Sequence, residues 1–298
     1  GGAEPQFTKW AWLNGRLVPA ARAAVPVFDR GLLFGDGIYE TVRTYGGKVF
    51  RARSHLARLA ASAARIELRL PYPPRALEAV MARVVAANRL SDARVRLVVT
   101  RGVGASPDLG AIARTRPTVL VYATPYAGPA EADRLNGVRA ILARTARNHR
   151  RALDPAIKSL NLLNSFLAKR EAARAGARDA VLLNPDGFVA EGTASNVFFV
   201  RRGTLCTPAL EAGILEGITR GIVLDLARRL GFRVREGLFR PAALLAAEEA
   251  FLTASTIELL PLAALGARRY PASRPVTRVL QSAYRVTVLD ELGSRSRA

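Results

Sequence analysis

Apolar side chains change their spacing along this chain, and the changes mark its elements. Residues 10–18 (WAWLNGRLV) set two short apolar runs on either side of Asn14-Gly15, a dipeptide that favours a two-residue hairpin turn. Ile38 to Phe50 repeats the arrangement around Gly46-Gly47. From Ser54 to Leu68 the spacing lengthens. Leu56, Leu59, Ala63 and Ile66 recur at helical intervals behind Ser54 as a cap, and Pro74 to Asn88 predicts a second amphipathic helix. Arg94 to Arg101 alternates basic and apolar residues, as a half-buried strand does, whereas Thr118 to Ala123 is nearly all apolar, which predicts an interior strand. Thr124 to Gly137 mixes Pro, Gly and charge without a period and reads as a linker.

The pattern restarts with a strand over Val138 to Arg144, a basic loop Arg147 to Asp154 and a helix from about Leu160 to Ala175. Strand signals then crowd together at Ala180 to Leu183, Phe188 to Ala190 and Ser195 to Arg201, separated by Pro185-Asp186-Gly187 and Glu191-Gly192-Thr193. A helix Gly217 to Leu230, a strand Arg233 to Phe239, a short helix Pro241 to Ala247, a strand Ala250 to Ala254 and a helix Pro275 to Leu292 follow. The mixture predicts an α/β (α+β) protein. At 298 residues and 50% apolar composition it has material for two cores, with a smaller domain at 1–123, the linker at 124–137 and a larger domain at 138–298.

Charge changes this picture little. Basic residues outnumber acidic ones 45 to 24, a formal net charge of +21. The arginines are spread through every segment rather than gathered with aromatics on one stripe, so no nucleic-acid site is expected. One cysteine, Cys206, and two histidines, His55 and His149, are too few for a disulfide framework or a Cys/His metal centre. No uninterrupted apolar run reaches about 18 residues and no basic-then-apolar leader opens the chain, so neither membrane insertion nor secretion is expected, and the expected setting is the cytoplasm. Gly1-Gly2 carry no functional weight.

Only four of the basic residues are lysines: Lys9, Lys48, Lys158 and Lys169. Any chemistry that needs an amine nucleophile must choose among them. Gly35-Asp36-Gly37 lacks the third glycine of a dinucleotide fingerprint, Gly47-Lys48 is followed by Val49 rather than Ser or Thr, and no serine sits in a nucleophile elbow. Lys158, in DPAIKSLN, ends an extended apolar approach to a helix, where an amine is either desolvated for Schiff-base chemistry or simply structural. Glu191 follows an apolar strand and precedes a flexible glycine, where a carboxylate is held in a cleft or else caps a turn. Gly213 to Arg220 (GILEGITR) runs into a helix whose first amides, at Ile218 and Thr219, hold a phosphate or merely start the helix. Thr253 to Thr256 offers hydroxyls to the same anion, and Arg58 offers a bidentate charge if it is not simply a solvated helix residue.

Taken in this order, the segments FGDGIYE (34–40), HLARL (55–59), KSLN (158–161), EGTASN (191–196), GITR (217–220) and the run from Thr253 to Pro261 resemble the fold-type IV enzymes that use pyridoxal 5'-phosphate. That class holds branched-chain aminotransferases, D-amino acid aminotransferases and aminodeoxychorismate lyases. The resemblance runs from about Trp10 to Leu292 and implies a small N-terminal and a larger C-terminal α/β domain with the site between them. It implies that Lys158 forms the Schiff base and moves the proton, that Glu191 pairs with the pyridine nitrogen, and that Arg58, the amides of Ile218 and Thr219, and Ser255 or Thr256 hold the phosphate. It further implies ping-pong transfer from an amino acid to a 2-oxo acid in a homodimer whose partner chain completes the pocket.

Substrate choice stays open at this level. Tyr39 matches an aromatic pocket position and Arg96 an arginine that branched-chain enzymes turn towards acidic co-substrates, which favours L-amino acids with 2-oxoglutarate. KSLNL at 158–162, with Leu162 in place of a tyrosine, is closer to the D-amino acid enzymes. Their Arg-x-His carboxylate trap is not visible between Arg101 and Arg116, so D-specificity needs another clamp, Arg147 or His149. A lyase on the same cofactor is a further alternative. A basic nucleic-acid-binding protein with a relic fold is the alternative from outside enzymology.

Overall fold

The computed structural model describes residues 8–294, so Gly1-Gly2 lie outside it. The chain divides into two compact units. One runs to Ala127 and also takes Ile157–Asn161, and the other comprises Gly128–Ala156 and the chain from Leu162 onward.

The first unit contains β1 (Trp10–Leu13), β2 (Arg16–Pro19), α1 (Arg30–Phe34), β3 (Gly37–Tyr45), β4 (Lys48–Val49), α2 (Ala52–Arg65), α3 (Pro74–Ala87), β5 (Ala93–Val103) and β6 (Arg116–Pro125). Its sheet has the order β2-β1-β6-β5-β3-β4, antiparallel throughout. Alternation on β5 sorts the faces. Ala93, Val95, Leu97 and Val99 are fully buried with Leu56 and Leu59 of α2 and Leu77, Met81 and Val84 of α3, each large side chain contributing about 1.5–3 kcal/mol by burial. The other face carries Tyr39, Thr41 and Arg43 of β3 opposite Val98, Arg96 and Arg94 of β5.

The second unit contains α4 (Glu131–Asn136), β7 (Val138–Leu142), α5 (Leu163–Arg174), β8 (Asp179–Leu183), β9 (Val189–Gly192), β10 (Asn196–Arg201), β11 (Thr204–Pro208), α6 (Ile218–Arg229), β12 (Arg233–Gly237), α7 (Pro241–Leu245), β13 (Glu249–Ala254), β14 (Glu258–Leu265), β15 (Arg268–Arg269) and α8 (Pro275–Ser294). Its mixed sheet runs β12-β11-β10-β13-β14-β7-β8-β9, with β15 on β14. Parallel pairs join β7 to β8 and β14, and β11 to β12. Phe199, Leu252, Leu260 and Leu262 centre its core, and Phe198 stacks on Phe251 at 5.2 Å. No helix among the described residues is long and apolar enough to cross a membrane.

Three local expectations change. Helix α2 starts at Ala52 rather than at a Ser54 cap. Arg51, in the left-handed region at φ 52°, turns the chain into it without a side-chain cap bond. Within 124–137, where no period predicts an element, α4 forms with Glu131 and Asp133 placing negative charge in its first turn. Helix α5 begins at Leu163, since the residues before it run extended along β3.

Candidate active site

In the first unit the lysine peptide behaves as an added edge on the start of β3. Ile38 and Ser159 form an antiparallel bridge, the Tyr39 amide donates to the Lys158 carbonyl at 3.0 Å, and the Leu160 amide donates to the Gly37 carbonyl at 2.9 Å. Ser62 Oγ of α2 accepts from the Lys158 amide at 3.2 Å, and Asn161 Nδ2 donates to the Gly35 carbonyl at 3.0 Å. The close approach needs a glycine at 37, because a Cβ there would meet Leu160 Cδ1 at 2.7 Å and the Val99 carbonyl oxygen at 2.8 Å. The FGDGIYE and KSLN motifs are thus two sides of one contact.

That contact aims the Lys158 side chain at Tyr39. Nζ lies 3.4 Å from the phenol oxygen, to which it donates, and 4.4 Å from the ring centroid. The Arg96 guanidinium stands 3.4 Å from the same centroid and donates to Thr41 Oγ1 at 2.9 Å. Lys158, Tyr39 and Arg96, three residues singled out from sequence, therefore meet in one place. Behind them, Glu40 points to the opposite side of β3 and is fully buried. It accepts from His55 Nδ1 at 2.7 Å and from Arg58 Nε and one terminal nitrogen at 2.8 Å each. Burial alone would raise the Glu40 carboxyl, but the Arg58 and His55 donors outweigh it and hold the group well below the usual carboxylate range. Burial pushes the His55 imidazole down against the pull of Glu40, so a neutral ring with its proton on Nδ1 fits the pair.

Glu40 and His55 lie in the FGDGIYE and HLARL motifs, which by themselves give neither residue a role. The signal was available: His55 and Arg58, three apart on α2, share one helix face. Two of the Arg58 nitrogens are thereby held by Glu40, which fixes the direction of the rest of its guanidinium.

In the second unit the Glu191 carboxylate ends β9 and is almost fully buried. Arg147 Nε donates to its Oε1 at 2.7 Å, the Leu215 amide donates to Oε2 at 2.9 Å, and Asn196 Nδ2 stands 3.5 Å from Oε2. Asn196 also donates to the Leu215 carbonyl at 2.9 Å, tying Glu191 to the loop that enters α6. Asp179 pins the turn between Glu191 and Asn196 by accepting from Thr193 Oγ1 at 2.5 Å and Ser195 Oγ at 3.2 Å.

Helix α6 begins at Ile218 with Gly217 as its cap, and no side-chain cap bond serves its first amides. A Cβ at Gly217 would lie 1.9 Å from Asn196 Oδ1, which is why the two motifs EGTASN and GITR meet at a glycine. Thr253, opposite Asn196 in the β10/β13 register, is buried with a hydroxyl that finds no partner among the described residues. Ser255 and Thr256 follow in the turn to β14 and are half-buried. An open helix start, an unsatisfied hydroxyl and a carboxylate ringed by donors suit a compact anionic ligand that also carries a basic nitrogen. Arg147 is committed to Glu191 and to Asn164 Oδ1, at 3.0 Å, rather than standing as a substrate clamp.

The first unit thus carries a lysine held beside Tyr39, and the second a buried carboxylate close to the start of a helix. The sequence profile of amino-transferase class IV matches residues 37–265, and the chain belongs to that family: it is a transaminase of the mixed α/β, two-domain fold-type IV architecture. A Methanocaldococcus jannaschii protein named provisionally as a branched-chain-amino-acid aminotransferase is 42% identical over 84% of this chain and 86% of its own. A D-alanine aminotransferase of Bacillus licheniformis is 36% identical over 93% and 96%. The structure of the T.th. branched-chain amino acid aminotransferase with pyridoxamine 5'-phosphate aligns at a TM-score of 0.89, with 30% identity and 94% of each chain covered.

Proposed function

We propose that this transaminase moves the amine of a branched-chain or related L-amino acid to a dicarboxylic 2-oxo acid such as 2-oxoglutarate. The observation that carries this is the Arg96 guanidinium on the Tyr39 ring, whose hydroxyl meets Lys158 Nζ. A guanidinium one aromatic ring away from the Lys158 amine supports the reading, since guanidinium is suited to a carboxylate. Pyridoxal 5'-phosphate is the cofactor, and when bound it supplies the electron sink for the substrate α-carbon. Lys158 Nζ binds it and takes and returns the substrate proton, while Tyr39 Oη orients that amine. Arg58, the Ile218 and Thr219 amides and the Ser255 and Thr256 hydroxyls hold its phosphate, and Glu191 faces its ring nitrogen. Tyr39 and Arg96 line the substrate side.

The D-amino acid reading keeps support from the Bacillus relative and from Leu162, whose side chain is exposed after KSLN and brings no phenol to the site. The two separate in single half-reactions. Loss of the lysine-bound cofactor absorbance should be faster with L-leucine than with D-alanine, and the reverse order would overturn the L-specific reading. Arg96→Met should raise the KM for 2-oxoglutarate about tenfold, the worth of one charge-assisted contact, while leaving that for a branched-chain 2-oxo acid within about twofold. Equal effects on both would remove Arg96 from substrate selection.

The working form in this reading is a cytoplasmic homodimer. Phe28, Leu32, Leu109 and Ile112 of the first unit are exposed large apolar residues, and Arg30 of α1 grips the Asp108 and Leu109 carbonyls at 2.7 Å each, gathering helix and loop into one surface. Light scattering should return twice the 32.1 kDa chain mass.

A further inference from the structure

We propose that Arg147 is a positioning residue for recognition of the cofactor's ring nitrogen, acting through Glu191; the inference rests on the aminotransferase reading above. Its main chain is anchored first, with the Arg147 amide donating to the Leu183 carbonyl of β8 at 2.8 Å. Its guanidinium then bridges two acceptors, Glu191 Oε1 at 2.7 Å through Nε and Asn164 Oδ1 at 3.0 Å through a terminal nitrogen. Asn164 is itself fixed at the start of α5. Its Nδ2 donates to the Ala146 carbonyl at 2.7 Å, and its Oδ1 also accepts from the Asn148 amide at 3.3 Å. The side chains of Arg147 and Glu191 are only 14% and 7% exposed, so the pair sits where water competes weakly.

The consequence is geometric. A carboxylate with one oxygen on Arg147 and the other on the Leu215 amide has its plane set from both ends. Its remaining acceptor directions are fixed before a ligand arrives, and no reorganisation is needed when a protonated ring nitrogen donates to it. A lysine at 147 would keep the charge but not the planar fork that reaches Glu191 and Asn164 together. The sequence offers Arg147 only as a substrate clamp, because nothing in the basic loop reveals that its partner lies 44 residues further on.

The test compares pyridoxal 5'-phosphate with its 1-deaza analogue, in which carbon replaces the ring nitrogen, by equilibrium dialysis on the folded protein. The wild-type protein should prefer the natural compound at least about tenfold, the worth of a hydrogen bond to a charged group. Arg147→Met should cut that preference to within about threefold, and Arg147→Lys should restore part of it. A variant that weakens both compounds by one factor, keeping the wild-type ratio, would overturn the inference and leave Arg147 a structural residue. If Arg147→Met does not fold, Asn164→Ala carries the same readout, with a reduced ratio expected and an unchanged ratio counting against. Wild-type protein that binds neither compound would overturn the aminotransferase reading and this inference together.

Discussion

Lys158→Ala should abolish covalent cofactor capture and lower transamination by about 10³- to 10⁴-fold, the combined loss of the amine as nucleophile and as proton carrier. None of the other three lysines replaces it. Lys9 is exposed with its amide on Asn88, Lys48 lies in the short strand β4, and Lys169 is an exposed α5 residue bonded to the Arg178 carbonyl and 3.6 Å from Asp179. The substitution should cost the fold little, because Lys158 itself holds the peptide in place through its main-chain amide and carbonyl. The Lys158 carbonyl and amide, with those of Gly37 and Leu160, survive the loss of the side chain. A melting temperature within about 2 °C of wild type, together with the missing absorbance band, would confirm the separation of chemistry from stability. Normal turnover in Lys158→Ala would remove the mechanism altogether.

The second large effect falls on stability. Glu40 is fully buried and accepts from both His55 and Arg58, so Glu40→Ala leaves a buried imidazole and a mostly buried guanidinium without their shared partner. Breaking such a pair from one side costs about 3–5 kcal/mol, or on the order of 10 °C in melting temperature. The pH dependence has a definite sign. His55 is held below its ordinary 6.5, so as the pH falls through 6.5 the unfolded chain takes up a proton that the folded ring refuses, and stability declines. Glu40 is held below its ordinary 4.5, so its contribution is complete above 4.5 and is lost progressively as the pH falls below it. Melting curves between about pH 8 and pH 3 should show both declines in the wild type. Glu40→Ala should lose the lower one, and an unchanged acid slope in that variant would mean that other carboxylates carry it.

Much of the candidate site was legible because its residues are marked locally in the chain. Lys158 stood out because only four lysines exist, and Glu191, Ile218 and Thr219 because each ends a strand or opens a helix. Tyr39 and Arg96 fell on alternating strands whose faces are set by a two-residue period, and β3/β5 pairing puts Arg96 opposite Thr41, two pairs along from Tyr39 and on the same face. Glu40 illustrates the limit. On a strand whose residues alternate between faces, its neighbour Tyr39 goes to the lysine and Glu40 to the helix. A sequence reader sees the alternation without knowing that α2 waits behind it with His55 and Arg58.

The sequence by itself determined the mixed α/β character, the short choice of four lysines, the glycine-bounded motifs and their order, since these follow from periodicity, from residue scarcity and from backbone conformations only certain residues adopt. Tertiary structure alone decided that Ile157–Asn161 packs with the first unit, that Arg147 serves Glu191 and that Asn196 locks against Gly217. Each of those contacts joins residues from about 20 to more than 100 positions apart. The energy of such a contact depends on burial and on atoms brought together by folding, and no spacing along the chain records it.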